Sequence, residues 1–277
     1  MKYVTLPCGE RVPALGQGSW FLGDDPATRQ DEIAALQAGI ERGLSLIDTA
    51  EMYGDGRAER LVGEAIAGRR DDVFLVSKVL PSNAGRERAI AACEASLERL
   101  GTECLDLYLL HWEGGVPYED TIAAFERLQR DGKIRHFGIS NLDLPATRDF
   151  QAAPGGDALQ VNQLLYNLNQ RGIEWDLLPW LQDQGIATMA YSPFDGASLL
   201  SHDGLQQFAR ERDITAAQAA LAWLLGHDGV LPIPKSASVA RVEENAGALD
   251  MHLGEDDHAV LDALFAPQRG PQALQIY

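Results

Sequence analysis

Short apolar runs begin near Ala14, Leu44, Val73, Cys104, Ile134, Leu159, Ile186 and Val230, most of them about thirty residues apart. Seven of the eight gaps between and after them hold a helical pattern. Ile33, Leu36 and Ile40 recur at helical spacing, as do Ile122, Phe125 and Leu128. Thr215 and Gln218 form a capping-box pattern ahead of the apolar stretch from Ala219 to Leu225. Strand and helix alternating at this interval require right-handed crossovers and a parallel sheet. Eight strands are enough to close a sheet, whereas an open doubly wound sheet of this length uses fewer. The pattern therefore predicts an α/β fold, a (β/α)8 TIM barrel in one domain over residues 1–277. An N-terminal β-hairpin is expected over residues 1–13, with Val4-Thr5-Leu6 and Arg11-Val12 about a turn at Gly9, and an extra helix at the C-terminal end. One run fits poorly. Val230-Leu231-Pro232-Ile233-Pro234 puts two prolines in the last strand, where each removes a ladder donor, so a short irregular strand is expected there.

The alternatives leave no fingerprint. Gly16-Gln17-Gly18 and Gly54-Asp55-Gly56 lack the third glycine of a dinucleotide-binding turn, and no phosphate loop of the G-x-x-x-x-G-K-[ST] form occurs. Cys8, Cys93 and Cys104 make no C-x-x-C pair, and the six histidines are isolated from one another, so no metal and no disulfide framework are expected. The formal net charge of −18 opposes nucleic acid and anionic membranes, and the acids are dispersed as on a solvated surface. With no apolar leader after Met1 and no run long enough to span a bilayer, the expected location is cytoplasmic.

In a barrel of this kind chemistry gathers at the C-terminal ends of the strands. Those ends read Gly18-Ser19-Trp20, Asp48, Ser77-Lys78, His111-Trp112, Ser140-Asn141, Asn162-Gln163, Tyr191-Ser192 and Lys235-Ser236. Each offers a polar or ionisable group, which a surface shaped by stability alone has no reason to do. Asp48 is followed five residues later by Tyr53, in a glycine-bearing loop. Lys78 is one of only four lysines among 23 basic residues, at a position that suits a compact, adjustable ammonium.

Asp48, Tyr53, Lys78 and His111 together have a mechanism. A phenol titrating near 10 is a poor acid at neutral pH, and an adjacent ammonium is expected to lower that value by stabilising the phenolate. A carboxylate holds the ammonium in place, and the imidazole orients a carbonyl oxygen beside the phenol. Such a set protonates an oxygen on which charge develops, as hydride addition to a carbonyl requires; the hydride must come from a cofactor. Lys235, Ser236, Ser238 and Arg241, leading into the helix Val239 to Leu249, make an anion site where barrels often bind phosphate.

Five motifs, GLSLIDTAEMY (Gly43 to Tyr53), Val76-Ser77-Lys78, Leu109-Leu110-His111-Trp112, Gly138-Ile139-Ser140-Asn141 and IPKSASVARVEEN (Ile233 to Asn245), resemble those of the aldo-keto reductases, and the resemblance spans nearly the whole chain. It implies an NADPH-dependent carbonyl reductase with Tyr53 as general acid, Lys78 and Asp48 tuning it, and His111 placing the carbonyl. It also implies that Ser140, Asn141 and Gln163 hold the nicotinamide amide while Tyr191 stacks on its ring. Gly18, Ser19, Trp20, Asp48, Ser192, Pro193 and Phe194 would complete the cofactor cleft. Lys235, Ser236, Ser238 and Arg241 would take the 2′-phosphate, with Glu244 and Asn245 at the adenine. Trp20, Met52, Tyr53, His111 and Trp112 would line the substrate pocket.

Within the family the chain is most similar to the bacterial branch that reduces small aldehydes and 2-oxoaldehydes such as methylglyoxal. The loop after Tyr191 (Ser192 to Ser201) is short, which implies fast, weak cofactor exchange, and Asp195 on it would sit unfavourably if it faced the pyrophosphate. The short tail after Phe265 implies broad specificity. The expected partner is a small carbonyl compound, and the expected state a monomer. The other functions compatible with the motifs are an NADP-dependent alcohol or sugar dehydrogenase and a non-catalytic NADPH-binding regulatory subunit.

Overall fold

Alternate residues of the strands fall into two separate apolar cores, as they must when a sheet closes on itself. The computed structural model describes residues 2–277; Met1, the first residue of the expected hairpin, lies outside the described residues. The strands are β1 (Tyr3–Thr5), β2 (Arg11–Pro13), β3 (Gly16–Gly18), β4 (Leu46–Asp48), β5 (Phe74–Val79), β6 (Leu105–Leu110), β7 (Ile134–Ser140), β8 (Val161–Leu165), β9 (Ala187–Tyr191) and β10 (Val230–Pro232). The helices are α1 (Arg29–Glu41), α2 (Arg57–Ala65), α3 (Arg86–Leu100), α4 (Tyr118–Arg130), α5 (Leu144–Ala152), α6 (Leu177–Asp183), α7 (Asp203–Arg210), α8 (Ala216–Leu225), α9 (Val239–Ala246) and α10 (Glu255–Leu264). Strands β3 to β10 pair in parallel, each with the next in sequence. Leu46, Phe74, Val76, Leu107, Leu109, Val161, Ala187, Met189, Leu231 and Ile233 form the inner core. Their neighbours Ile47, Leu75, Tyr108, Leu110, Ile139, Leu164 and Ala190 pack outward with the helices.

Closure comes at Gly18. Its amide donates to the Pro234 carbonyl at 3.0 Å and it forms a single parallel bridge with Lys235. A Cβ on Gly18 would stand 3.0 Å from the Ile233 carbonyl oxygen, so the strands approach this closely only around glycine. The two prolines fit for a related reason. The Ile233 amide donates to Ala190 in β9 at 3.0 Å. Successive amides alternate sides along a strand, so the missing donors of Pro232 and Pro234 fall toward β3, where pairing is reduced to that one contact.

β1 and β2 form the expected hairpin, with Tyr3 opposite Pro13, and Leu6 and Val12 join the inner core. The hairpin thereby plugs the N-terminal end of the barrel. Thr215 and Gln218 form both bonds of the capping box at the start of α8.

One buried ion pair ties the catalytic strand β5 to the helices. Glu59 on α2 is fully buried, accepts from Ser77 Oγ at 2.7 Å, and is met by Arg99 Nε of α3 at 2.5 Å. Arg99→Met leaves a buried carboxylate without its cation and is expected to cost about 3–5 kcal/mol in denaturant unfolding. A loss below about 1 kcal/mol would class the pair with ordinary surface bridges.

Candidate active site

The same alternation that fills the barrel selects the residues that leave it at the top. Leu46 is inward, so Asp48 is. Phe74 and Val76 are inward, so Lys78 follows, and Leu107 and Leu109 put His111 on the same face. Val161 likewise brings Gln163 inside, in the middle of β8 rather than at its end as the sequence suggests. Its neighbour Asn162 points the other way and bonds to the Leu142 carbonyl and Thr147.

These side chains meet at the floor of a cavity of about 730 Å³ at the C-terminal end of the barrel. Lys78 is fully buried and Asp48 nearly so. The Lys78 ammonium donates to Asp48 Oδ2 at 2.7 Å, to the Thr49 carbonyl at 2.9 Å and to the Tyr53 hydroxyl at 3.2 Å. All three of its donors are thus used, which makes so complete a burial tolerable. Gln163 Nε2 occupies the other carboxylate oxygen of Asp48 at 2.7 Å. The Tyr53 hydroxyl accepts from Lys78, and its own hydrogen meets no acceptor among the described residues, leaving it to a ligand in the cavity. Tyr53 reaches this position because the chain turns sharply behind it: Gly54, Asp55 and Gly56 all have positive φ.

The charges differ in one respect from the sequence expectation. Burial raises the Tyr53 pKa and outweighs the lowering by Lys78, so the net shift is upward. For Lys78, burial acts to lower the pKa, but Asp48 and Tyr53 more than reverse it and the ammonium titrates above its ordinary value. The phenol is therefore held protonated and the amine charged. His111 is pushed down to about 2 by burial and by Lys78, so its imidazole is neutral. Its Nδ1 is buried without a partner among the described residues, and burying a bare acceptor costs less than burying an orphaned N–H. The proton therefore belongs on Nε2, which makes that nitrogen a donor. The arrangement can deliver one proton from the phenol and orient the receiving oxygen with the imidazole.

Around the wall, Tyr191 donates to Asn141 Oδ1 at 2.9 Å, and Asn141 Nδ2 contacts the His111 carbonyl at 3.2 Å and Ser140 Oγ at 3.1 Å. Ser140 in turn donates to the Gln163 carbonyl at 3.0 Å. Asn141 and Ser192 hold positive φ to make these turns. Gly18, Ser19, Trp20, Met52, Trp112, Ser192, Pro193, Phe194, Lys235, Ser236, Arg241, Glu244 and Asn245 also line the cavity. Ser238 does not. It stands at the N-terminus of α9, its amide donating to Ser236 Oγ and its carbonyl accepting from that hydroxyl, so its contribution is to shape the turn.

Sequence reasoning missed several wall residues, among them two aromatic ones. Phe21 stacks on Trp20 with centroids 4.5 Å apart, and its positive φ is invisible in the sequence. Tyr277 also lines the cavity, because the tail after Phe265 returns across the top. The Tyr277 hydroxyl donates to Asp195 Oδ1 at 2.5 Å, and Asn169 and Ser198 donate to Oδ2 at 2.9 and 2.8 Å. Burial alone would raise the Asp195 pKa; these three donors hold it below its usual value. The Asp195 charge is thus spent on local donors.

The aldo/keto reductase family model matches residues 14–266. The chain is 51% identical over 280 aligned residues to a methylglyoxal reductase (YeaE) of Escherichia coli, covering 99% of both chains. It is 36% identical to a glyoxal reductase of Bacillus subtilis, over 97% of this chain and 95% of that one. Among solved structures, an aldo/keto reductase from Klebsiella pneumoniae in complex with NADP and acetate superimposes with a TM-score of 0.97 at 47% identity, covering 100% of this chain and 99% of that one. On its motifs, its barrel and these matches, the chain belongs to the aldo/keto reductase family.

Proposed function

We propose that this protein reduces small aldehydes and 2-oxoaldehydes of the methylglyoxal type to alcohols with NADPH, acting as a single-domain, monomeric, cytoplasmic enzyme. The observation that carries the reading is the buried Lys78 ammonium bonded at once to Asp48 and to a Tyr53 hydroxyl whose hydrogen faces the cavity. A relative matched over 99% of both chains is a methylglyoxal reductase, and a solved structure that superimposes with a TM-score of 0.97 is in complex with NADP.

The cavity fits the cofactor. Among the described residues Ser19 Oγ, buried beside it, has no partner and Gln163 Oε1 has no bond. Lys235 and Arg241 are exposed at its rim and form no salt bridge among the described residues, although most arginines of this acidic chain do. Lys235, Ser236 and Arg241 would hold the 2′-phosphate, Gln163 and Asn141 the carboxamide, and Tyr191 the nicotinamide ring. Bound NADPH supplies the hydride.

The chain's residues do the rest. His111 donates from Nε2 to the carbonyl oxygen and fixes its position. Tyr53 passes its hydroxyl proton to that oxygen as negative charge grows there. Lys78, one charge from the phenolate so formed, stabilises it, and Asp48 keeps the ammonium aligned. Trp20, Met52 and Trp112 exclude water from the carbonyl.

With Tyr53 and Lys78 both titrating upward and His111 neutral, the reactive protonation state persists through neutrality. The phenol is the acid, so activity is lost only as pH rises through its pKa. With NADPH saturating, kcat/KM for reduction is expected to stay level from about pH 6 to about pH 9. A limb near pH 7 would assign the proton to another group.

The deciding experiment is NADPH oxidation against a panel of aldehydes, 2-oxoaldehydes, ketones and sugars, repeated with NADH and with alcohols plus NADP. Turnover of methylglyoxal-like compounds supports the reading. Preferential alcohol oxidation would make the protein a dehydrogenase, and NADPH binding by fluorescence without turnover of any compound would make it a regulatory subunit. Light scattering at micromolar concentration tests the monomer.

A further inference from the structure

We infer that the opposite end of the barrel carries a zinc(II) site made by Cys8, Glu10 and His136. The three come from two distant stretches of chain, which is why the isolated histidines and unpaired cysteines gave no metal signal in the sequence. Gly9, at φ 86°, turns the hairpin loop so that its two neighbours both reach β7. There Cys8 Sγ lies 3.8 Å from His136 Nε2, and Glu10 Oε2 lies 2.6 Å from the same nitrogen. The three donor atoms all fall within 4.8 Å of one another.

A tetrahedral zinc with bonds of about 2.0–2.3 Å sets its donor atoms about 3.4–3.6 Å apart. The sulfur is nearly at that separation from the imidazole nitrogen, and lies within 4.8 Å of the carboxylate. The imidazole and carboxylate need to part by less than about 1 Å, the change expected when a metal replaces the proton they share. One thiolate, one imidazole and one carboxylate suit zinc and exclude magnesium and calcium, which take oxygen. Three protein donors leave a fourth position for water.

The surroundings hold the donors in place. The Cys8 amide donates to Gln160 Oε1 at 2.9 Å. Arg135 bonds to both Glu10 oxygens, at 2.7 and 2.8 Å, and is itself anchored to Asp106 at 2.7 Å. Oε1 can remain with Arg135 while Oε2 turns to the metal, an outer contact typical of ligating carboxylates. Zinc takes a thiolate and a neutral imidazole nitrogen, so binding competes with protons and affinity falls as pH falls. The site lies at the N-terminal end of the barrel, where conserved chemistry serves stability rather than catalysis. It would staple the hairpin that plugs the inner core to a strand 126 to 128 residues away.

The test uses the full chain, stripped with chelator and titrated with zinc against a chromophoric competitor. One equivalent is expected to bind and to raise the melting temperature, with magnesium doing neither. Cys8→Ser and His136→Gln are each expected to weaken zinc at least about tenfold, and Cys8→Ser to leave reductase turnover unchanged. Cobalt(II) provides the signature: a thiolate charge-transfer band in the wild type that is absent in Cys8→Ser. Cys8 is exposed, so that variant should fold normally. The inference is overturned if stripped protein takes up no stoichiometric zinc, if either variant binds as tightly as wild type, or if the cobalt band survives Cys8→Ser.

Discussion

Tyr53→Phe is expected to lower kcat for aldehyde reduction by about 10²–10⁴-fold while NADPH affinity stays within about twofold. The substitution removes one oxygen and keeps the ring. That ring is a wall of the pocket, edge-on to His111 with centroids 5.8 Å apart, and Phe preserves the contact. The proton donor disappears, and with it one of the three acceptors of the Lys78 ammonium. Asp48 and the Thr49 carbonyl still hold the lysine, so the fold has little reason to suffer. Fluorescence titration gives the cofactor affinity and single-turnover oxidation of NADPH the chemical step. A variant retaining more than about a tenth of wild-type kcat would show that water or His111 can supply the proton, and the role assigned to the buried triad would be wrong.

The period-two pattern explains why so much of this site is visible in the sequence. A strand residue that faces a barrel interior fixes the direction of every second neighbour, so Phe74 and Val76 announce Lys78, and Leu107 and Leu109 announce His111. Strand order follows from the interval between apolar runs. What is not visible depends on distances that no spacing encodes. The sign of the Tyr53 shift is a contest between burial and Lys78, and burial wins only because the hydroxyl lies so deep. Ser238 shares a motif with Ser236 yet turns away, because it stands where the chain enters α9. Tyr277 reaches the cavity through a tail with no periodicity to place it. Cys8, Glu10 and His136 meet only because the hairpin folds under the barrel.

The double variant Lys235→Ala/Arg241→Ala is expected to weaken NADPH by about 10–100-fold and NADH by no more than about twofold, as read by fluorescence titration. Hydrogen bonds to a charged phosphate carry about 1.5–3 kcal/mol each, but both side chains are exposed and solvent screens them, so each contributes less here, about 1 kcal/mol. The chain's formal charge of −18 repels a phosphorylated ligand at long range, which makes two rim cations with no salt bridge among the described residues a local site that permits binding. Added salt should therefore weaken NADPH binding to the wild type more steeply than to the variant. The comparison with NADH isolates the phosphate because the barrel seam is untouched: the Gly18–Lys235 bridge and the Gly18–Pro234 hydrogen bond are made by backbone atoms that alanine keeps. Equal losses for the two cofactors would mean that Lys235 and Arg241 act on the part they share, and the preference for NADPH would need another source.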